Sequence, residues 1–450
     1  MLPWQCSALL LLESEGMKKR KYIKIIFSLL ASVVICSTFS VTAQAKKNVT
    51  VTPESLDKKA KGHPTVYDKS VAHSMSLNEI TESMRKSGGG KLTLKKGTYN
   101  FQYSVCIPSN VTVVLKDGVV INNIYDTKAH IGPTTAMWQF VPKNMTYKAK
   151  SIGKYRGTKN AKLTAKGKVV FNMKNITGLA VIAVHCQKIE ISGITFKGMN
   201  KNHYIEVNGA KNVKIKNCRF QKAKKGTLKS HYVKEAINID LADPFTGGIG
   251  CTWAKQDKTP CKKIKIENCT FTGMSRGVGT HNYSQTGKGK NIYHSGITIK
   301  KNTFKNLYDA GVYLMNWKNT KIINNKFVQC GKGNNLPHTN TAHAISGSGV
   351  KIIKITGNKF EKIKKNPINF NGQENVGNAS GKYKRIYVYI TDKEAMEMLD
   401  NTSVECGNDS GFSGYDVLYF RGDGSRVAGN AVGINFSKQE VNYNMKKGEK

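Results

Sequence analysis

A short aliphatic–aromatic phrase recurs through this chain and restricts its fold more than any other feature. Ile189, Ile191 and Phe196 make one copy, and Val213, Ile215 and Phe220 the next. Ile264, Ile266 and Phe271 continue the series, as do Ile297, Ile299 and Phe304. Thr320, Ile322 and Phe327, then Ile353, Ile355 and Phe360, complete it. The residues seven and five positions before each Phe alternate as strand residues do and share one face. Successive Phe residues are 24, 51, 33, 23 and 33 positions apart. Short intervals suit one coil of a solenoid, and long ones a coil carrying an insertion. A unit that buries its apolar face only against its own copies must stack, so the spacing predicts an all-β parallel β-helix. Asn302, Asn325 and Asn358 recur at one turn position, where stacked amides can bond from coil to coil.

A second strand closes each coil: Tyr204–Asn208, Ala236–Asp240, Gly277–His281, Gly311–Met315 and Pro367–Asn371. With coils about 4.8 Å apart, Ile205/Val207, Ile237/Ile239, Val278/Thr280 and Val312/Leu314 are expected inside. The alternate residues then form two outward columns, Asn208–Asp240–His281–Met315 and Glu206–Asn238–Gly279–Tyr313. This register sets Asp240 beside His281 on the next coil, a carboxylate and an imidazole able to work as an acid/base pair. Gly279 would leave an open floor beside them. Insertions at 222–234, 241–260, 282–294 and 331–341 frame the columns. They bring His231, Tyr232, Lys234, Glu235, Asp243, Trp253, Arg276 and Trp317 toward one groove, and loops clustered on a regular scaffold commonly carry function. Each has a plainer reading. Asp240 and Asn238 can serve turn backbone, Asp243 before Pro244 starts turns, and Trp253 can pin its own loop. The column Lys214, Lys265, Lys321 and Lys354 can be a solvated face.

Outside the repeats the chain reads differently. Ser76–Lys86 is expected to be an amphipathic helix capping the open end of the solenoid. Residues 46–75 read as a basic linker and 76–375 as the β-helix. Residues 376–450 read as a cap or small β-rich extension, with strand-like Tyr383–Ile390 and helical Lys393–Leu399. At the N-terminus, Met17 precedes a basic run, Ile23–Val41 is apolar and Ala43-Gln44-Ala45 ends it. That is a secretory signal peptide spanning 1–45, with a true start at Met17, export, and no stable membrane insertion after cleavage. Cys251 and Cys261 bracket one loop and form the candidate disulfide. Cys218 and Cys269 fall at equivalent repeat positions and are expected as buried thiols. Lys and Arg number 71 against 29 Asp and Glu, a net charge of +42. Such a surface attracts acidic polysaccharide or an anionic cell-wall polymer. Export and the lack of a nucleic-acid motif argue against nucleic acid as partner.

The entry from Gly88 to Tyr99 (Gly-Gly-Gly-Lys-Leu-Thr-Leu-Lys-Lys-Gly-Thr-Tyr), with the coils ending in Asn-x-Phe or a close variant, resembles the pectin-lyase-like superfamily. The resemblance spans about residues 76–375. It implies a right-handed parallel β-helix and a polysaccharide substrate, acted on by lyase, polygalacturonase-type hydrolase or epimerase chemistry. Asn238-Ile-Asp240 matches the hydrolase Asn-x-Asp strand, but no Asp-Asp or Gly-His-Gly follows, Gly279-Thr-His281 being the nearest approach. Asp243-Pro244-Phe245 keeps two residues of the epimerase Asp-Pro-His.

The leading expectation is an enzyme cleaving an anionic, uronate-type polysaccharide by β-elimination. His281 or Lys234 would be the base and Arg276 the carboxylate clamp, with Asp240 orienting His281 or helping to bind calcium. Asn238, Tyr313, Trp317, Trp253 and His231 would contact substrate, and no cofactor beyond calcium is called for. Were Asp240, Asp243 and Glu235 the working acids, hydrolysis would be the better reading. A non-catalytic cell-wall or glycan-binding adhesin is the alternative from another class.

Overall fold

The computed structural model describes residues 45–61, 70–127, 132, 134–221, 235–245, 247–331, 343–371, 383–384, 386, 388–407, 417–420, 426–435 and 440–445. The expected signal peptide, apart from Ala45, and His231, Tyr232 and Lys234 lie outside them. Among the described residues no helix is long and apolar enough to cross a membrane.

The body is a right-handed parallel β-helix whose coils contribute three strands each. In one coil Lys211–Lys216 forms a first wall, Arg219–Gln221 a second and Glu235–Asp240 a third. In the next coil Lys262–Glu267, Thr270–Thr272 and Arg276–Gly279 lie on them in parallel. Register is strict: Ile215 pairs with Ile266, Phe220 with Phe271 and Ile237 with Val278. Strand Ile345–Ser348 supplies a third-wall rung that the sequence pattern had not shown. The rungs also begin earlier than expected. Lys47–Val51, placed in a linker by composition, pairs in parallel with Gly90–Leu94, and helix Pro53–Lys61 follows it.

Corners recur at fixed distances from the aromatic. Three residues before each Phe, the backbone is left-handed at Gly193, Asn217, Asn268, Lys301, Asn324 and Gly357, with φ between 52° and 78°. Eight residues before it, Lys188, Asn212, Lys263, Gly296, Asn319 and Ile352 do the same, with φ between 51° and 68°. Glycine and asparagine tolerate this region; a β-branched side chain meets its own backbone there. Ile352 is therefore the misfit of the set, and it is 52% exposed, so packing does not repay the strain.

Inside, identical residues stack. The rings of Phe196, Phe220, Phe271, Phe304, Phe327 and Phe360 lie 4.7–5.1 Å apart at interplanar angles of 4–20°. Beside them runs the asparagine ladder. Asn325 Oδ1 accepts from the Asn302 backbone N (2.9 Å) and Nδ2 (3.0 Å), while its own Nδ2 donates to Ile299 O (3.0 Å) and Asn358 Oδ1 (2.9 Å). Asn358 repeats the pattern onto Asn401, a member that the Phe repeat does not reach. Cys218 and Cys269 hold the same position in earlier coils as buried free thiols. Cys251 and Cys261 are also free, so the expected disulfide is not formed.

Both ends are closed. Helix Ala72–Lys86 begins four residues earlier than the sequence suggested, because Ala72 and His73 also pack inward. Asn78 of this helix donates to Ser104 O (2.7 Å) and accepts from Cys106 N (2.8 Å), satisfying the edge of the first third-wall strand, Val105–Cys106. At the other end Thr402–Val404 adds a parallel rung to Lys359–Glu361, and Arg426–Asn435 runs antiparallel to Ile368–Asn371, ending the parallel stack. Of the expected strand Tyr383–Ile390, the described residues show a single parallel bridge from Tyr389 to Lys351, and Tyr383 and Ile386 pack with Tyr283 and Met315. The expected helix is present as Asp392–Glu397, capped by Thr391 and Glu394.

Asn325→Ala strips a buried backbone N–H and a carbonyl of their partners and is expected to cost about 2–4 kcal/mol. A urea midpoint unchanged from the parent chain would refute the ladder's role. Ile352→Asn is expected to stabilise by about 0.5–1 kcal/mol through relief of the left-handed strain. The same titration, showing destabilisation, would remove that explanation.

Candidate functional site

Alternation along the third wall decides which side chains meet. Ile205, Val207, Ile237, Ile239, Val278, Val312 and Leu314 point into the core and are fully buried, as expected. Glu206 and Asn208 therefore face outward, paired in register with Asn238 and Asp240 on the next coil. Asn238 Nδ2 donates to both oxygens of Glu206 (2.9 and 3.2 Å), and Asp240 Oδ1 accepts from Leu241 N (2.8 Å). Glu206, Asn238 and Asp240 line a cleft of about 290 Å³ with His203, His281 and Asn282.

The charges in the cleft are unequal. Burial, reinforced by the nearby charge of Asp240, pushes the Glu206 carboxyl up to about 7. Burial raises Asp240 to about 6, against the pull of His281 and of the hydrogen bonds from Leu241 and Asn238. Glu235 goes the other way. Burial would raise it, but His281, Arg276 and His203 outweigh that and hold it well below the usual carboxylate range. Two carboxyls raised toward neutrality, beside a third that stays ionised, are groups that acid/base chemistry can use.

His281 lies in the same cleft as Asp240 and draws its carboxyl down, as expected, but the imidazole's closest carboxylate is Glu235. The third-wall strand ends at Gly279, and Thr280 turns inward toward Ile239 O and Trp317 Nε1. The imidazole is thereby carried back over the coil, with Nε2 2.7 Å from Glu235 Oε2. Gly279 makes this possible: a Cβ there would lie 2.9 Å from Glu235 Cγ. The floor expected to be open beside the glycine is filled, by the Glu235 side chain and by Tyr313, whose Cβ would lie 3.2 Å from a Cβ there.

Several expected contacts are committed to structure instead. Arg276, expected to clamp a substrate carboxylate, donates from Nη1 to Glu235 Oε1 (2.9 Å) and from Nε to Asp309, with the Tyr313 ring 3.9 Å from its guanidinium carbon. Only 7% of Arg276 is exposed. Trp317 is fully buried and spends its N–H on Thr280 Oγ1 (2.8 Å), so it offers no face to a sugar. Asp243 is also fully buried; it accepts from Ser284 and Tyr383 and clasps the C-terminal segment rather than facing the cleft. Trp253 is buried with Ile152, Ile182 and Ala254 and also lines the groove. Glu206, His203 and Asp309 were not among the candidate residues. Glu206 stood in an expected outward column, whereas no sequence pattern marked His203 or Asp309.

Two donor sets could hold an ion. His203, Glu235 and His281 place one ligand atom each within 4.8 Å of one another, a nitrogen-rich set that suits zinc better than calcium. The Arg276 cation on Glu235 competes with any ion there. A hard cation such as calcium would find Glu206, Asp240 and the side-chain amide oxygens of Asn208 and Asn238, both buried without a hydrogen-bond partner.

The cleft does not end at these residues. Through Leu179, Asn202, Ile249 and Gly250 it joins a depression of about 480 Å³. Thr134, Thr135, Gln139 and Thr146 link that to a further one of about 540 Å³, flanked by Tyr103, Lys143 and Tyr147. The result is one groove running across several coils.

No family model matches the chain. It is 26% identical over 274 residues to the plasmin and fibronectin-binding protein A of Streptococcus pneumoniae (strain ATCC BAA-255 / R6). That match covers 57% of this chain and 37% of the relative, so the chain matches little more than a third of the relative's length. Among solved structures, the Streptococcus pneumoniae surface protein and adhesin PfbA is 18% identical, with a TM-score of 0.50 over 80% of this chain and 87% of that one. An iota-carrageenase complexed to iota-carrageenan fragments is 14% identical, with a TM-score of 0.42 over 68% of this chain and 57% of that one. The adhesin structure shares the parallel β-helix.

Arg276→Ala leaves the buried carboxylates of Glu235 and Asp309 without their cation and is expected to cost about 3–5 kcal/mol. Chemical denaturation measures it. A loss below about 1 kcal/mol would mean that Arg276 is not the structural centre of this cluster.

Proposed function

We propose that the protein is an exported, glycan-active β-helix protein that hydrolyses a glycosidic bond of a chain lying along the third-wall groove. Glu206 acts as general acid and Asp240 as the base or nucleophile. The observation that carries this reading is the pair of buried carboxyls on adjacent coils, raised to about 7 and about 6, at one end of a continuous groove. Near pH 7, Glu206 keeps enough proton to protonate a leaving oxygen while Asp240 is largely ionised, the division of labour that glycoside hydrolysis uses. Closer kinship with pectin-lyase-like enzymes belongs to this proposal.

Hydrolysis fits better than elimination. An elimination needs an uncommitted cation at the sugar carboxylate, and Arg276 is held by Glu235 and Asp309. Beyond the acidic cluster, the described lining is mostly hydroxyl, amide and aliphatic, as at Thr134, Gln139, Thr177, Asn202 and Thr252. That lining suits the hydroxyls of a neutral glycan, and Tyr147, 69% exposed at the far end, offers a face for a sugar ring. A second reading, a surface adhesin without turnover, is favoured by the pneumococcal relative named for binding plasmin and fibronectin.

The deciding assay incubates the chain from Lys46 onward with neutral and acidic polysaccharides, with and without calcium. New reducing ends without ultraviolet absorbance are expected. Absorbance from unsaturated products would restore elimination, and silence with retained glycan binding would favour the adhesin. Glu206→Gln and Asp240→Asn are each expected to lower kcat by about 10²-fold or more. Turnover should peak between pH about 6 and about 7, falling above as Glu206 loses its proton and below as Asp240 gains one.

Stability follows the same proton. With its carboxyl raised from 4.5 to about 7, the native state binds a proton that the unfolded state has released. Stability therefore falls as pH rises across that interval, and Glu206→Gln should flatten the fall. A pH–stability curve identical to the parent's would refute the assignment.

A further inference from the structure

The large positive charge of this chain sits in part on a wall other than the one that carries the groove, and it is ordered there. Lys211 pairs in register with Lys262, then Ser295, Lys318 and Lys351 follow coil by coil, each one residue before the left-handed corner that opens the outer face of the first wall. Beside this column runs a second: Lys214, Lys265, Thr298, Lys321 and Lys354. Eight lysines thus stand in two parallel rows with a rung spacing of about 4.8 Å.

Little neutralises them. Among the described residues Glu267 serves both Lys214 (3.6 Å) and Lys265 (2.7 Å), Glu190 stands one coil before Lys214 in its row and acts on it, and no ion pair is formed by Lys211, Lys262, Lys318, Lys321, Lys351 or Lys354. Three of the first row instead rest over aromatic faces. Lys211 lies 5.8 Å from the Tyr155 ring centre, Lys318 5.7 Å from Tyr293 and Lys351 5.7 Å from Tyr389. A ring face steadies an ammonium while leaving its charge uncompensated. Like charges one rung apart repel by about 1 kcal/mol per pair even at the dielectric of water. Protection against edge pairing does not account for this arrangement, because lysines do that work on sheet edges, and these lie on the face of paired strands.

We propose that the first wall is a binding surface for a linear anionic polysaccharide, laid along the coil axis with its carboxylates or sulfates between the two lysine rows. The repeat of the solenoid matches a repetitive polymer, and the ligand would relieve the repulsion between rungs. Single-stranded nucleic acid fits less well, because it needs aromatic faces for its bases and three tyrosines here are covered by lysine. This surface is separate from the hydrolytic groove, whose acidic cluster would repel the same polymer, and the inference does not depend on that activity.

Heparin is a suitable probe, immobilised and presented to the chain from Lys46 onward. A quadruple charge reversal at Lys318, Lys321, Lys351 and Lys354 is compared with one at Lys166, Lys168, Lys305 and Lys359, exposed lysines outside the two rows. Both variants change net charge equally, and circular dichroism checks their folding. The row variant should bind roughly tenfold more weakly at physiological salt, and the control within about twofold of the parent. Glu206→Gln should bind heparin as the parent does, whatever its effect on hydrolysis. Equal losses in the two reversals would reduce the effect to net charge and overturn the proposal. So would undiminished binding by the row variant, or displacement of heparin by single-stranded DNA at lower charge concentration than by dextran sulfate.

Discussion

Stacking in register, one coil on the next at the spacing of neighbouring strands, is the constraint on which the rest of this molecule depends. A parallel rung leaves no freedom to stagger, so whatever side chain one coil places inward must be accommodated by the residue above it. Flat aromatic rings meet that demand by lying nearly parallel from Phe196 to Phe360. Asparagine meets it differently: its oxygen takes the backbone N–H and amide of one neighbour while its nitrogen serves the next coil and a buried carbonyl. The left-handed corners keep the strands in phase, and the coils open at loops where insertions cost little.

The cleft is a consequence of the same geometry. Once Ile205 and Val207 are pinned inside, Glu206 and Asn208 have no choice of face, and Asn238 and Asp240 must stand beside them one coil on. Carboxyls placed there lose water, which raises both Glu206 and Asp240; the charge of Asp240 adds to the first and that of Glu235 to the second. A second set of acids, Glu235 and Asp309, would be intolerable so close without a buried cation. Arg276 supplies it and is thereby removed from any role toward ligand.

Each wall faces solvent on its own, so the solenoid can present different chemistry on different sides. The third wall carries hydroxyl, amide and acidic groups in a groove, while the first carries two rows of lysine. With charges screened over about 8 Å at physiological salt, surfaces on separate walls of a packed core act nearly independently. A strongly basic chain can therefore hold an acidic site without contradiction.

Much of the fold could be read from the chain alone, because strand alternation and the Phe interval are local patterns and a stacked repeat turns local patterns into global architecture. The inward residues of the third wall, the asparagine ladder and the capping helix were all visible in this way. The rungs at Lys47–Val51 and Ile345–Ser348 were not: the first precedes the Phe series, and the second has Gly347 where the alternating aliphatic would stand, opposite Leu314. The candidate site was half readable: Asp240, Asn238, Glu235 and His281 do gather at one end of the groove. The partners of those residues were decided by tertiary structure. Where a strand stops cannot be known from alternation: it ends at Gly279, and His281 just beyond lies 2.7 Å from Glu235 while still acting on Asp240. Burial likewise took Arg276, Trp317 and Asp243 out of the groove and placed Glu206 and His203 in it. Sequence determined the period and the faces of this protein, because those follow from backbone geometry. Only the folded structure decided which charges are spent on one another and which remain for a ligand, because that depends on contacts between residues far apart in the chain.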